Sequence, residues 1–155
     1  MKNVAATVAT LALALLLAAP ASAQPAGDVA LTRAEIQKSR QAIIAKAIPL
    51  TEDEGLAFWP AYRDYRLDMA RLGDRLVRVI KEFVDSNATL TGEQANRLLD
   101  EYLDIKAKEV AVRQKHVKAF RKLLPPAKVT RFFQLENKLD AVVNYELAQA
   151  VPLTR

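Results

Sequence analysis

The sequence contains no cysteine, which excludes a disulfide framework, a thiolate metal site and a thiol nucleophile. Histidine occurs once, as His116, whereas a metal centre needs several ligands and the neighbouring Arg113, Lys115 and Lys118 oppose a divalent ion. His116 therefore reads as a solvated or interface histidine on a basic face, although Glu109 could join it across a dimer. Glycine is scarce, at four residues, so the chain is no collagen-like repeat. Strict apolar-polar alternation is missing as well, which argues against strands. What is present is 51% apolar and 26% charged sequence over 155 residues, the length of about one domain. An all-α globular class follows.

The first 23 residues differ from the rest. Lys2 gives a positive start, Val4 to Ala19 is an uncharged Ala/Leu-rich run, and Ala21-Ser22-Ala23 supplies small residues at the usual cleavage positions. Residues 1–23 read as a cleavable leader and residues 24–155 as a single helical domain. The apolar run is shorter than the roughly 20 residues of a spanning helix, so no stable membrane insertion is expected after cleavage. Export, without a lipid-bearing cysteine, places the product in the periplasm. Removing Lys2 with the leader leaves 22 basic residues (23 less one) against 18 acidic. Export and the interleaving of acids with bases argue against nucleic acid as a partner.

Three segments share the pattern Leu-Thr-x-x-Glu/Gln: Leu31 to Glu35, Leu50 to Glu54 and Leu90 to Gln94. In each, the threonine hydroxyl can accept from the amide three residues on while that residue's side chain returns to the threonine amide. Thr32 with Glu35, Thr51 with Glu54 and Thr91 with Gln94 thus mark three helix starts. Pro126, suited to a first helical position, marks a fourth. The first helix spans about Arg33 to Ala47 and ends before Pro49. The second, about Glu52 to Asn87, carries Tyr62, Tyr65, Met69, Leu72, Leu76, Val79 and Phe83 at alternating three and four spacing, a coiled-coil-like seam. At 1.5 Å per residue it is roughly 50 Å long, so the molecule is elongated, with a bend expected near Leu56 to Pro60. The third runs from about Gly92 to Leu123, with a polar middle from Lys106 to Lys118, and the fourth from about Ala127 to Ala148. The short Ser86–Leu90 connection makes the two long helices antiparallel, with paired residue numbers adding to roughly 180. Phe83 then faces Leu98 or Leu99, Leu76 faces Tyr102, and Tyr62 faces Val117 or Phe120.

On these features the chain resembles the Spy/CpxP family of periplasmic helical proteins, whose signature is a Leu-Thr-x-x-Gln repeat. Leu90-Thr91-Gly92-Glu93-Gln94 matches in full, the other two boxes carry Glu for Gln, and Leu124-Pro125-Pro126-Ala127-Lys128 occupies the second signature position in degraded form. The segment Leu124 to Leu139 is also similar to the C-terminal part of that superfamily. The resemblance implies a long bent hairpin that dimerises into a curved cradle. It further implies one of three roles: ATP-independent chaperone, envelope-stress adaptor of a membrane sensor, or metal-responsive protein. The last depends on His-rich ligand sets, from which this chain departs.

No residue set suggests catalysis or a cofactor. Ser39 and Ser86 lack the context of an activated nucleophile, and Asp64, Asp68, Glu101 and Asp104 are spaced to pair with Arg71, Lys108 and their neighbours on helix faces. Trp59 and Tyr62 can anchor the second helix against Phe120 and the last helix, or form an apolar patch for unfolded segments. Arg71, Arg75 and Arg78 stack on one side and, with Lys106, Arg113 and Lys118 across the hairpin, can form a positive concave surface. Trp59, Tyr62, Arg71, Arg75, Arg78 and Arg113 are therefore the candidate binding residues. The expected activity is holdase-like shielding of unfolded or partly folded exported proteins by a homodimer. The alternatives are docking on the periplasmic domain of a membrane sensor and a metal-responsive role.

Overall fold

The computed structural model describes residues 38–149 and 151–154. The leader and the Thr32–Glu35 box lie outside these. Among the described residues there are four helices and no strand: α1 (38–47), α2 (Glu52–Ser86), α3 (Gly92–Leu123) and α4 (Pro126–Gln149). Both long helices begin with a complete capping box. Glu54 N donates to Thr51 Oγ1 while Thr51 N donates to Glu54 Oε2, and Thr91 and Gln94 repeat the exchange. Glu52, Asp53 and Glu54 add negative charge to the first turn of α2, where the helix dipole favours it. Pro60 does not interrupt α2. The Leu56 carbonyl that loses a donor lies on the exposed side of the helix, where water can serve it.

The turn after Ser86 reverses the chain, and Thr89 N closes it on the Ser86 carbonyl at 2.8 Å. Cross-hairpin ion pairs report the register: Glu82 with Arg97, Arg75 with Glu101 and Asp104, Asp68 with Lys115. These are the pairs expected of an antiparallel hairpin centred on that turn. The seam of α2 is buried from Tyr62 through Val79, and Phe83 is half-buried. Leu76 shares its cluster with Leu98 and Ile105, while Tyr102 turns outward, 41% exposed. That is a correction to the Leu76–Tyr102 pairing. Leu98 and Ile105 lie seven positions, about two turns, apart and take the seam, which rotates Tyr102 toward its rim.

Helix α4 lies across both arms, and two separate apolar cores result. At the base, Phe58, Tyr62, Tyr65 and Met69 of α2, Phe120 of α3, Val129 and Phe132 of α4, and Ile44 and Ile48 of α1 pack together. At the tip, Leu72, Leu76, Val79, Leu98, Ile105 and Leu147 form the second. No described helix is long and apolar enough to cross a membrane.

Candidate functional site

The base core is aromatic, and it absorbs the first pair of candidate residues. Phe58 is fully buried and meets Trp59, Tyr62, Phe120 and Phe132 with ring centroids 5.0 to 5.8 Å apart. Such offset and edge-on packings add stability beyond the area they bury. Tyr62, only 4% exposed, is part of this core and presents no surface to a ligand. Burial pushes its hydroxyl up to about 12, and burial also raises Tyr65. Trp59 is half-buried, with one side against the core and the other on a shallow groove of about 650 Å³ beside Ile48, Leu56 and Arg63.

The arginines do not share one surface. Arg71 is exposed and bonded to Asp68 at 3.4 Å, Arg75 reaches Asp104 at 3.1 Å, and Arg78 is exposed. Arg113 instead donates to Asp140 of α4 at 2.8 Å. Asp104 and Arg113 are nine positions apart on α3, two and a half turns, so their side chains leave opposite sides of the helix. Acidic partners and this division replace the expected continuous positive face with two faces of mixed charge.

Between the two cores lies a layer of ions that the sequence reading did not anticipate. Glu136 of α4 is 1% exposed and accepts from Arg40 of α1 and Arg66 of α2, each at 3.0 Å. Arg40, 2% exposed, also donates to Asp140 at 2.9 Å, and Arg113 completes the group. Burial works against the Arg40 charge, but Glu136 and then Asp140 outweigh it and raise its pKa. Each charge has a partner, as burial in a low dielectric demands. His116 is likewise a correction: it is buried, with Nε2 2.8 Å from Asp68 Oδ2 and its ring edge-on to Tyr65. The hydrogen bond from His116, then that from Lys115, holds the Asp68 carboxyl below the usual range. Glu109 pairs with Lys106. Among the described residues no three His, Asp or Glu side chains converge as metal ligands would.

A wide concavity lies on the α4 side of the hairpin tip, a groove of about 1090 Å³ among the described residues. Leu76, Val79 and Leu98 of the tip core reach its floor, α3 supplies one wall, and the outer half of α4 with residues 151–154 supplies the other. The α3 wall carries apolar side chains that the fold leaves half open: Leu99 at 55%, Tyr102 at 41% and Val110 at 51% exposed. Its charged rim is tied up internally, Lys106 to Glu109 at 3.2 Å and Arg113 to Asp140 at 2.8 Å. The Lys106 ammonium also sits 5.6 Å from the Tyr102 ring. The groove can thus hold apolar matter by desolvation, and it offers little net charge to an ion. No protein-family model, no curated protein and no solved structure matches the chain.

Proposed function

We propose that this chain is an exported binding protein of Spy/CpxP type that shields apolar segments of other exported proteins, without ATP and without chemistry of its own. The observation that carries the reading is the groove at the hairpin tip. An open trough of about 1090 Å³ walled by partly exposed Leu99, Tyr102 and Val110 takes extended or helical apolar stretches by surface burial alone. Contiguous apolar surface of this kind marks interaction sites in soluble proteins. The leader-like residues 1–23 and the Leu90–Gln94 box support export and the family likeness. A periplasmic homodimer belongs to the same reading, since a hairpin with two shorter helices leaves Leu67 and Leu103, each 54% exposed, for a second copy to cover.

The test is suppression of aggregation of two dissimilar denatured proteins at near-stoichiometric ratio. Leu99→Asp and Tyr102→Asp alter exposed positions, so they leave the fold intact and should abolish suppression. Replacing Arg71, Arg75 and Arg78 together with Gln should leave it largely unchanged, because those arginines lie away from the groove. A parent protein that suppresses neither aggregation but binds one folded sensor domain would overturn the chaperone reading in favour of an adaptor.

A further inference from the structure

The ion layer between the two cores borders a small cavity, and its charges do not balance. The cavity, of about 60 Å³, adjoins the tip groove: Leu76, Glu109, Arg113, Asp140, Asn144 and Leu147 line both. Arg40 and Arg66 complete its charged lining. At the groove's rim Lys106 and Glu109 cancel, but beside them Arg40, Arg66 and Arg113 meet Glu136 and Asp140, three cations against two anions among the described residues. Arg40 is 2% exposed, and its Nε is buried without a hydrogen-bond partner. Such an orphaned donor is costly, and a carboxylate is the acceptor whose charge and geometry fit a guanidinium. The acids that line the cavity are already engaged, Glu109 by Lys106 and Asp140 by Arg40 and Arg113. Glu136, whose Oε1 is also unpartnered, is not among the lining residues. The cavity's volume is roughly that of two water molecules in the liquid, room for one carboxylate group.

The groove leads toward this cavity. From Leu99 to Val110 its α3 wall runs for roughly 16 Å, the span of about five extended residues, and Arg113 follows Val110 by less than one turn. Asn96, Asn137 and Asn144, all exposed, line the same groove. Their carboxamides can donate to and accept from a peptide backbone, whereas a plain hydrocarbon chain would leave them idle. We propose that the groove takes polypeptide segments ending in an apolar, free C-terminus, with the terminal carboxylate seated in the cavity against Arg40 and Arg113. The proposal rests on the groove being the binding site and names its ligand class. Internal stretches of the same composition bind the groove alone and less tightly.

The probes are the peptide Ala-Val-Ala-Leu-Ala-Leu, labelled with fluorescein at its N-terminus, as the free acid and as the C-terminal amide, followed by anisotropy. The parent protein should bind the acid about tenfold more tightly than the amide, the worth of a charge-assisted hydrogen bond. Arg113→Gln, at a residue 32% exposed, should abolish that preference and leave the amide's affinity nearly unchanged, while Leu99→Asp should remove binding of both peptides. Equal affinity of the parent for acid and amide would refute the carboxylate seat while leaving the groove as the binding site. Binding of neither peptide would overturn both readings, and binding of dodecanoate in that case would reassign the groove to a fatty acid. If Arg113→Gln loses its helical circular dichroism, Arg66→Gln takes its place. An undiminished preference in the folded variant would overturn the cavity as the seat.

Discussion

Glu136 is the residue whose removal should cost this protein most for its size. Its Oε2 accepts from Arg40 and Arg66, and its side chain is 1% exposed. Glu136→Ala strips both guanidinium groups of that acceptor. Arg66, 19% exposed, can turn to water, and Arg40 keeps Asp140 at 2.9 Å. Removing one partner from a buried pair costs about 3–5 kcal/mol, and these two outlets place the expected loss near the lower end, about 3 kcal/mol. That is a large share of the roughly 5–15 kcal/mol that holds a domain together. Urea unfolding followed by Trp59 fluorescence and by circular dichroism at 222 nm should show a lower midpoint with an unchanged slope. Arg40→Met with Glu136→Met is the informative companion. It removes both fully buried charges at similar volume and leaves Arg113 with Asp140, so it should recover most of the loss. A Glu136→Ala cost below about 1 kcal/mol, or a double variant less stable than the single, would refute the argument that this layer is a buried, mutually dependent set.

Other expectations follow from the same contacts. Because His116 and Lys115 depress the Asp68 pKa, Asp68 contributes stability that is complete above its unfolded value near pH 4. That contribution is lost as pH falls through the lower folded value. Asp68→Asn should therefore weaken the protein at pH 7 and flatten the acid limb of its stability profile; an acid limb as steep as the parent's would contradict this. Tyr62, raised to about 12 by burial, favours the folded state below its unfolded value near pH 10 and loses that contribution as pH rises toward 12. Phenolate absorbance should show this residue ionising together with alkaline unfolding, and Tyr62→Phe should remove its share. Phe58→Ala empties the centre of the aromatic base and should cost about 3–5 kcal/mol in denaturant titration. Thr91→Ala breaks the α3 capping box and should cost about 1 kcal/mol.

Much of this architecture was written in spacing. The seam from Tyr62 to Val79 alternates three and four and is buried residue by residue, and the threonine boxes place the first turns of α2 and α3. Phe58 was overlooked although it continues the seam one turn back from Tyr62. The ion layer was harder to see, because its charges come from four different helices and pair only once α1 and α4 are docked. A signal existed all the same. Glu136 stands between Phe132 and Leu139, and His116 between Val112 and Phe120, each where the pattern calls for an apolar residue. A polar residue on a seam marks a buried partner elsewhere. The groove was illegible for a different reason: its second wall is α4 and residues 151–154, whose placement against the tip depends on tertiary packing that local periodicity does not encode. Leu99 and Tyr102 therefore read as core, whereas for Trp59 and Tyr62 the spacing allows both a core anchor and a binding patch.

The division into an aromatic base and an aliphatic tip has a mechanical consequence. Seven rings interlock at one end, whereas the buried core of the other is leucine, valine and isoleucine, with Leu147 and the partly buried Val143 as its anchors from α4. Amide protons near Leu98 and Leu147 should exchange well before those near Phe120 and Phe132. If the trough binds as proposed, its loose end is the part that widens to admit guests of different girth, while the clenched end keeps the helices in register.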